Sequence, residues 1–205
     1  MTMISIAGLV AAMLVLAITP GPGVFATISK SLATGFRQTL PLVAGIVVGD
    51  LIFLLLAVLG LAAIAEMFSS LFLLVKYLGA TYLIWLGVRL WRSSPESHAK
   101  SKLTDSSHKS SFFAGLSITL GNPKVVLFYL GFLPTFVDLA RLSPADVLLV
   151  ALVVSSVLGA VMLAYAWSAS RARHWLATPI ARKRLNRSAG TIMAGTGVAL
   201  LAKAE

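Results

Sequence analysis

Six long apolar segments constrain the fold of this chain more than any other feature of its sequence. A helix needs about 20 mainly apolar residues to cross the hydrocarbon core of a bilayer. The segments that meet or approach this length are 4–28, 40–63, 71–91, 112–137, 147–168 and 188–202. None has the apolar–polar alternation of a membrane β-strand, and in lipid a helix satisfies its own backbone groups. The sequence therefore predicts an all-α, polytopic membrane protein with six transmembrane helices.

The composition agrees with a lipid environment. Of the 205 residues, 58% are hydrophobic and only 12% are charged, whereas soluble domains carry about 25% charged residues. The chain has no cysteine, which excludes disulfides and thiolate ligands. It also lacks the GxxxxGK[ST] loop of nucleotide-binding proteins and the G-x-S-x-G elbow of hydrolases. We therefore expect no enzymatic activity, no cofactor and no metal site.

The positive charge of the chain is unevenly distributed. Its 17 Lys and Arg residues give a net charge of +10, and most of them lie in alternate connections between the apolar segments. Basic loops stay on the cytoplasmic side of a membrane, so with six spans both termini are predicted to lie outside. This clustering accounts for the charge without nucleic-acid binding, for which no aromatic-laced basic element is present.

We expect one membrane domain, 1–205, built from two three-helix halves. The polar connection 92–111 is typical of a flexible cytoplasmic linker, and it separates the halves 1–91 and 112–205. Because each half has three spans, the halves enter the membrane from opposite sides, which is the geometry of an inverted repeat. The small residues at 190–194 are compatible with a homodimer.

Two of the apolar segments contain helix-breaking residues at membrane depth. The first contains TPGPG at 19–23, and the fourth contains GNPK at 121–124. Proline removes a backbone donor and glycine adds conformational freedom, so both helices should break. A packing kink is the simpler interpretation of the first motif. Paired interruptions in corresponding spans are nevertheless the strongest sequence indication of a transporter binding site.

Asp50 and Lys124 are the two charged residues near the middle of predicted spans. An Asp at the bilayer centre costs about 2.5–3.5 kcal/mol, so such a residue faces the protein interior and usually has a function. The alternative is a structural carboxylate with a fixed partner. By sign and depth the two residues suit one another, and we predict an ion pair between the halves. Tyr129 follows Lys124 by about one turn and is a candidate for the same cavity.

These motifs resemble those of the LysE/RhtB family of bacterial amino-acid exporters. Residues 18–50 are similar to the N-terminal signature of that family, 115–137 to its Asn-Pro-Lys helix, and 182–200 to its C-terminal segment. The resemblance covers nearly the whole chain. It implies a multi-pass protein of the bacterial inner membrane that exports neutral or basic amino acids, such as lysine, threonine, homoserine or leucine, with the proton gradient as driving force.

The resemblance also implies roles for particular residues. The candidates for substrate binding or proton coupling are Pro20, Gly21, Pro22, Asp50, Asn122, Pro123, Lys124 and, by its spacing, Tyr129. A half-helix N-terminus attracts a substrate carboxylate. Asp50 is suited to bind the substrate ammonium group or to carry the proton, and Lys124 to bind the carboxylate or to neutralise Asp50.

Three other functions remain open from the sequence. They are a non-transporting membrane scaffold, an exporter of another small cation, and a membrane-embedded enzyme. A scaffold needs neither mid-membrane charges nor broken helices, and an enzyme would need a second acid or a histidine at the depth of Asp50. For the exporter, the expected partners are an amino-acid substrate, protons and lipid.

Overall fold

The structure of the protein, a computed structural model, describes residues 2–59, 77, 81, 84–85, 87–89, 91–92, 107–129, 133–138, 142–172 and 179–202. Within these ranges the regular elements are helices, as the sequence predicts. In chain order they are α1 (Met3–Ile18), α2 (Pro22–Thr34), α3 (Phe36–Val58), α4 (His108–Leu120), α5 (Pro123–Leu127), α6 (Pro144–Ala172) and α7 (Pro179–Ala202). A 3₁₀ helix, Leu133–Thr135, lies between α5 and α6.

In the described part of the chain, two helices are long and apolar enough to cross a membrane. These are α3 and α6. The pair α1 and α2, which bends by 57° at its break, qualifies as a third when it is counted as one span. Most of the predicted span 71–91 lies outside the described residues. The arrangement of six spans as an inverted repeat therefore stays a prediction.

Gly35 joins α2 to α3 with almost no connecting loop. Its φ of 90° lies in a region that favours glycine, and its N–H donates to the Ser31 carbonyl at 2.9 Å, which ends α2. Helix α3 then begins at Phe36 and continues through Pro41. The second span thus starts earlier than the predicted 40–63, because glycine turns the chain in a single residue.

The last helix is longer than its predicted span. Helix α7 begins at Pro179, whereas the apolar pattern predicts a span over 188–202. The added turns carry Lys183, Arg184 and Arg187, all exposed. Hydropathy does not detect such a charged helical extension.

The helices that surround the centre of the molecule pack through glycine. Helix α3 has its most extensive contact with α4, and α6 packs against α1, α2 and α3. A Cβ at Gly45 would lie 2.0 Å from the Phe112 carbonyl oxygen, and one at Gly115 would lie 2.1 Å from the Leu42 carbonyl oxygen. The backbones of α3 and α4 therefore touch at two places where any side chain would be excluded.

The small residues Gly190 and Ala194, which are compatible with a homodimer by sequence, pack against a helix of the same chain. In the structure they face a helical residue of the same chain, because a Cβ at Gly190 would lie 2.5 Å from the Gly87 carbonyl oxygen. A Cβ at Gly87 would in turn lie 2.6 Å from the Ala194 backbone nitrogen. This close approach occurs within the protomer, and a homodimer stays a prediction.

Candidate functional site

The break between α1 and α2 leaves backbone carbonyls without their usual helical donors. Helix α1 ends at Ile18, and Gly21 adopts an extended conformation with φ −157° and ψ −175° before α2 begins. In a continuous helix, the N–H group of residue 20 would bond to the Leu16 carbonyl and that of residue 22 to the Ile18 carbonyl. Both positions are proline, which has no N–H group. Each proline therefore leaves one carbonyl in need of a donor.

Side chains from two other helices supply the missing donors. The Lys124 amine in α5 donates to the Leu16 carbonyl at 2.8 Å and to the Thr19 carbonyl at 2.7 Å. The Tyr165 hydroxyl in α6 donates to the Ile18 carbonyl at 2.9 Å. Unpaired backbone groups at membrane depth are strongly unfavourable. These contacts therefore stabilise the break and attach it to the second half of the chain.

The second break, between α4 and α5, is bridged by hydrogen bonds between neighbouring residues. The Asn122 N–H donates to the Thr119 carbonyl at 3.0 Å, which replaces the bond that Pro123 cannot make. The Asn122 side-chain oxygen accepts from the Lys124 backbone N–H at 3.1 Å and so caps α5. Since that oxygen is used as the cap, the amide N–H groups of Asn122 remain for other ligands.

The carboxyl group of Asp50 is buried beside these breaks. The residue lies in α3, is 1% exposed, and accepts a 2.6 Å hydrogen bond from the Tyr129 hydroxyl on one oxygen. The Tyr129 ring stacks on Phe53 and meets Phe128 edge to face. These ring contacts hold the hydroxyl in position. No described residue donates a hydrogen bond to the second carboxyl oxygen.

Both breaks and the buried carboxyl group line one cavity. Its volume is about 30 Å³, which is room for about two water molecules. The polar and glycine residues that line it are Gly21, Gly23, Asp50, Thr119, Asn122 and Lys124. Apolar walls come from α1, α2, α3, α5 and α6, including Leu16, Ile46, Leu158 and Met162. Six helices, α1 to α6, thus meet at a small, partly polar space that contains one acid and one base.

Asp50 and Lys124 face this cavity together but do not form the predicted ion pair. The carboxyl group is held by Tyr129, and the amine is held by the carbonyls of Leu16 and Thr19. The prediction of a direct pair is wrong for this conformation. The two carbonyls need a donor and take the Lys124 amine, while the Tyr129 hydroxyl needs an acceptor and takes the Asp50 carboxyl group. The prediction that both charges lie in the protein interior near both breaks agrees with the structure.

The sequence model of one protein family, the LysE type translocators, matches residues 14–204 of the chain. The chain belongs to this family. A homoserine/homoserine lactone efflux protein of Salmonella typhimurium is 30% identical over 93% of this chain and 92% of its own length. An uncharacterized membrane protein of Synechocystis is 39% identical over 96% and 95%.

A third relative matches a shorter part of the chain. It is a leucine efflux protein of Klebsiella pneumoniae, 31% identical over 62% of this chain and 60% of its own length. No solved structure matches the chain. The comparisons therefore give the family and several relatives named as efflux proteins, while the positions of the site residues come from the structure described here.

Not every candidate residue of this LysE-type chain reaches the cavity. Gly21, Asp50, Asn122 and Lys124 line it, whereas Pro20 is exposed and Pro22 is buried, and neither proline lines the cavity. Pro20 and Pro22 affect the site because neither has a backbone N–H group to donate to a carbonyl of α1. Pro123 begins α5, and Tyr129 contacts Asp50 without lining the cavity.

Sequence reasoning missed two residues of the site, Tyr165 and Thr119. The Thr119 hydroxyl donates to the Ile46 carbonyl at 3.3 Å and lines the cavity, while Tyr165 completes the first break. A tyrosine inside an apolar span was the available signal for Tyr165, because its hydroxyl group needs a partner there. The sequence carries no comparable signal for Thr119, since a threonine bonds its own helix as readily.

Proposed function

We propose that the protein exports amino acids or their close derivatives across the bacterial inner membrane in exchange for protons. The single observation that carries this proposal is the cavity in which both broken helices meet a carboxyl group and an amine. Membership of the LysE family and the efflux proteins among the relatives support the same direction of transport. Substrate choice and proton exchange are the parts that need an experiment.

The chemistry of the cavity suits a zwitterion. A free amino acid carries an ammonium group and a carboxylate on one carbon atom, so its site needs an acceptor and a donor close together. Asp50 and the carbonyls at the end of α1 are acceptors, while Lys124, the Asn122 amide and the N-terminus of α2 are donors. The N-terminus of a helix also attracts negative charge, which favours the substrate carboxylate.

Transport requires the cavity to change size. At about 30 Å³ it holds water but not an amino acid, so the helices around it must separate before a substrate enters. The only described hydrogen bonds of the Lys124 amine cross from α5 to the first break. Movement of the two halves about these contacts would open the cavity to one side of the membrane at a time.

Everted membrane vesicles test the proposal, because export appears in them as uptake. Vesicles with an acidic interior should accumulate labelled homoserine or leucine when they contain the protein, and a protonophore should abolish the uptake. D50N is expected to lower gradient-driven uptake by at least about tenfold, which is about 1.4 kcal/mol. D138N, a change at an exposed aspartate, is the matched control and should retain uptake.

The outcomes separate the parts of the proposal. Uptake that is insensitive to the pH gradient would contradict proton exchange. No uptake in a panel of labelled amino acids would contradict amino-acid export. Equal uptake by D50N and the wild-type protein would remove Asp50 from the mechanism.

A further inference from the structure

We infer that the C-terminal end of α1 is a binding site for a primary ammonium group, and that the Lys124 amine is its built-in occupant. The inference deepens the proposed function in one respect, because the external ligand of the site would be the ammonium group of the exported amino acid. The site itself rests only on the geometry around the first break.

Two carbonyl oxygens converge on one nitrogen at this break. The Leu16 and Thr19 oxygens lie 2.8 Å and 2.7 Å from Lys124 Nζ. The Leu16 oxygen is available because Pro20 cannot donate to it. The C-terminal end of a helix also carries partial negative charge, which favours a cation. A pair of acceptors inside a membrane span therefore always requires a donor, and here the donor is a charged amine.

The donor count indicates an ammonium group rather than a metal ion. A primary ammonium group has three N–H donors, of which the carbonyls of Leu16 and Thr19 take two. Hard metal cations such as Ca²⁺ or Mg²⁺ take about six oxygen ligands, and no described residue adds a further oxygen within hydrogen-bond distance of Lys124 Nζ. A Cβ at Gly21 would lie 3.4 Å from Nζ, so glycine keeps the space beside the amine open toward the cavity.

This arrangement provides a way to exchange one amine for another. A substrate ammonium group that takes the two carbonyls leaves the charge at the end of α1 unchanged. The released Lys124 side chain can then pair with the substrate carboxylate, which is attached to the same carbon atom as the ammonium group. Asp50 lines the same cavity but is not needed for the ammonium group in this scheme, and it remains available to carry the proton.

Removal of the occupant tests the site independently of transport. K124A leaves both the carbonyls and the space of the side chain unfilled, so its Tm in detergent should fall by at least about 2–4 °C, the shift expected from a lost hydrogen-bonded contact in a chain of this size. Methylammonium chloride should raise the Tm of K124A, because this ion matches the end of the lysine side chain. The wild-type protein and K109A, which changes an exposed lysine, should not respond.

Two salts at equal ionic strength define the ligand class. Tetramethylammonium chloride has the same charge but no N–H donor and should give no stabilisation of K124A. Sodium chloride should give none either, and stabilisation by sodium equal to that by methylammonium would overturn the assignment to a primary ammonium group. No response of folded K124A to methylammonium would overturn the site.

A second variant keeps the test decisive if K124A does not fold. K124M retains an unbranched side chain without the amine, so it should have a lower Tm than the wild-type protein and than K109M. A K124M protein as stable as wild type would overturn the inference. Stabilisation of K124A by methylammonium in a protein that exports no amino acid would support the site and contradict the proposed function.

Discussion

The main effect of Pro20 and Pro22 is to leave two preceding carbonyl groups without their helical hydrogen-bond donors. Neither residue has an N–H group, so the carbonyls of Leu16 and Ile18 accept from side chains of α5 and α6 instead. A local feature of the sequence thus creates acceptors inside the molecule, and long-range packing determines which side chains fill them. The same relation holds for Asp50, whose partner is far away in the sequence.

Tyr129 is expected to position the Asp50 carboxyl group. Y129F removes the donor of the 2.6 Å hydrogen bond and keeps the ring contacts, so it leaves a buried acceptor unsatisfied. We expect the free energy of unfolding to fall by about 1–3 kcal/mol, measured by thermal or denaturant unfolding in detergent. Y77F changes a tyrosine that is 40% exposed and should have little effect. A Y129F protein as stable as Y77F would show that this hydrogen bond does not hold the carboxyl group.

The sequence predicted which residues form the cavity better than it predicted their bonds. Burial of Asp50 and Lys124 follows from the free-energy cost of charge in lipid, which depends on residue type alone. Their actual partners, Tyr129 and the carbonyls of Leu16 and Thr19, depend on how helices distant in sequence approach one another. Opposite charge suggested an ion pair, but unpaired carbonyls attract an amine as well, and the sequence gives no measure of that competition.

At the scale of helices, the breaks were predictable because prolines and glycines act locally. The structure places them between α1 and α2 and between α4 and α5, as TPGPG and GNPK indicate. Helix ends were less predictable. The single glycine at position 35 replaces a loop, and α7 extends into a charged stretch. Apolar patterns locate the part of a helix that lies in lipid, whereas caps determine where the helix itself ends.

The contact between α3 and α4 gives a sharp prediction for glycine substitutions. In G45A and G115A the added methyl group would lie 2.0 Å and 2.1 Å from a backbone oxygen of the facing helix, so the two helices must move apart. We expect each variant to lose about 1–3 kcal/mol or more of stability, with a lower yield of folded protein in size-exclusion chromatography and a lower Tm.

Gly159 in α6 is the matched control for these substitutions. A Cβ at this position has no atom within 4 Å, so G159A only exchanges glycine for a better helix former. Its stability should be unchanged or should rise by up to about 1 kcal/mol. A G45A protein that behaves like G159A would contradict the close packing of α3 on α4.

At the scale of the whole molecule, three arginine–tryptophan pairs lie in the part of the chain that is predicted to be cytoplasmic. Arg89, Arg171 and Arg187 lie over the rings of Trp85, Trp167 and Trp91 at 5.2, 5.2 and 4.9 Å from the ring centres. Each of these arginines belongs to the set of connections that the charge pattern assigns to the cytoplasm. Tryptophan and arginine together suit the boundary between lipid and water. The pairs would therefore anchor three helices at a membrane surface, and that this surface is the cytoplasmic one stays a prediction.

The absence of cysteine allows this orientation to be measured on an otherwise unmodified chain. Ser110 in α4 lies in the part predicted to be cytoplasmic, and Ala145 at the start of α6 lies in the part predicted to be outside; both are exposed. A membrane-impermeant maleimide added to intact cells or spheroplasts should label A145C and not S110C. Everted vesicles should give the reverse pattern, and the wild-type chain, which has no thiol, sets the background.

The labelling pattern also shows which end of the protein faces the cytoplasm, and therefore from which side an exported substrate must enter the cavity. If S110C reacts from outside and A145C does not, the basic connections face away from the cytoplasm and the charge pattern has been misinterpreted. The everted-vesicle assay would then present the opposite face of the protein to the substrate. If both positions react from the same side, the number of spans between them is even, which would contradict the single crossing predicted over 112–137. That crossing contains the second break, so labelling of these two residues from opposite sides is required if the cavity lies within the membrane.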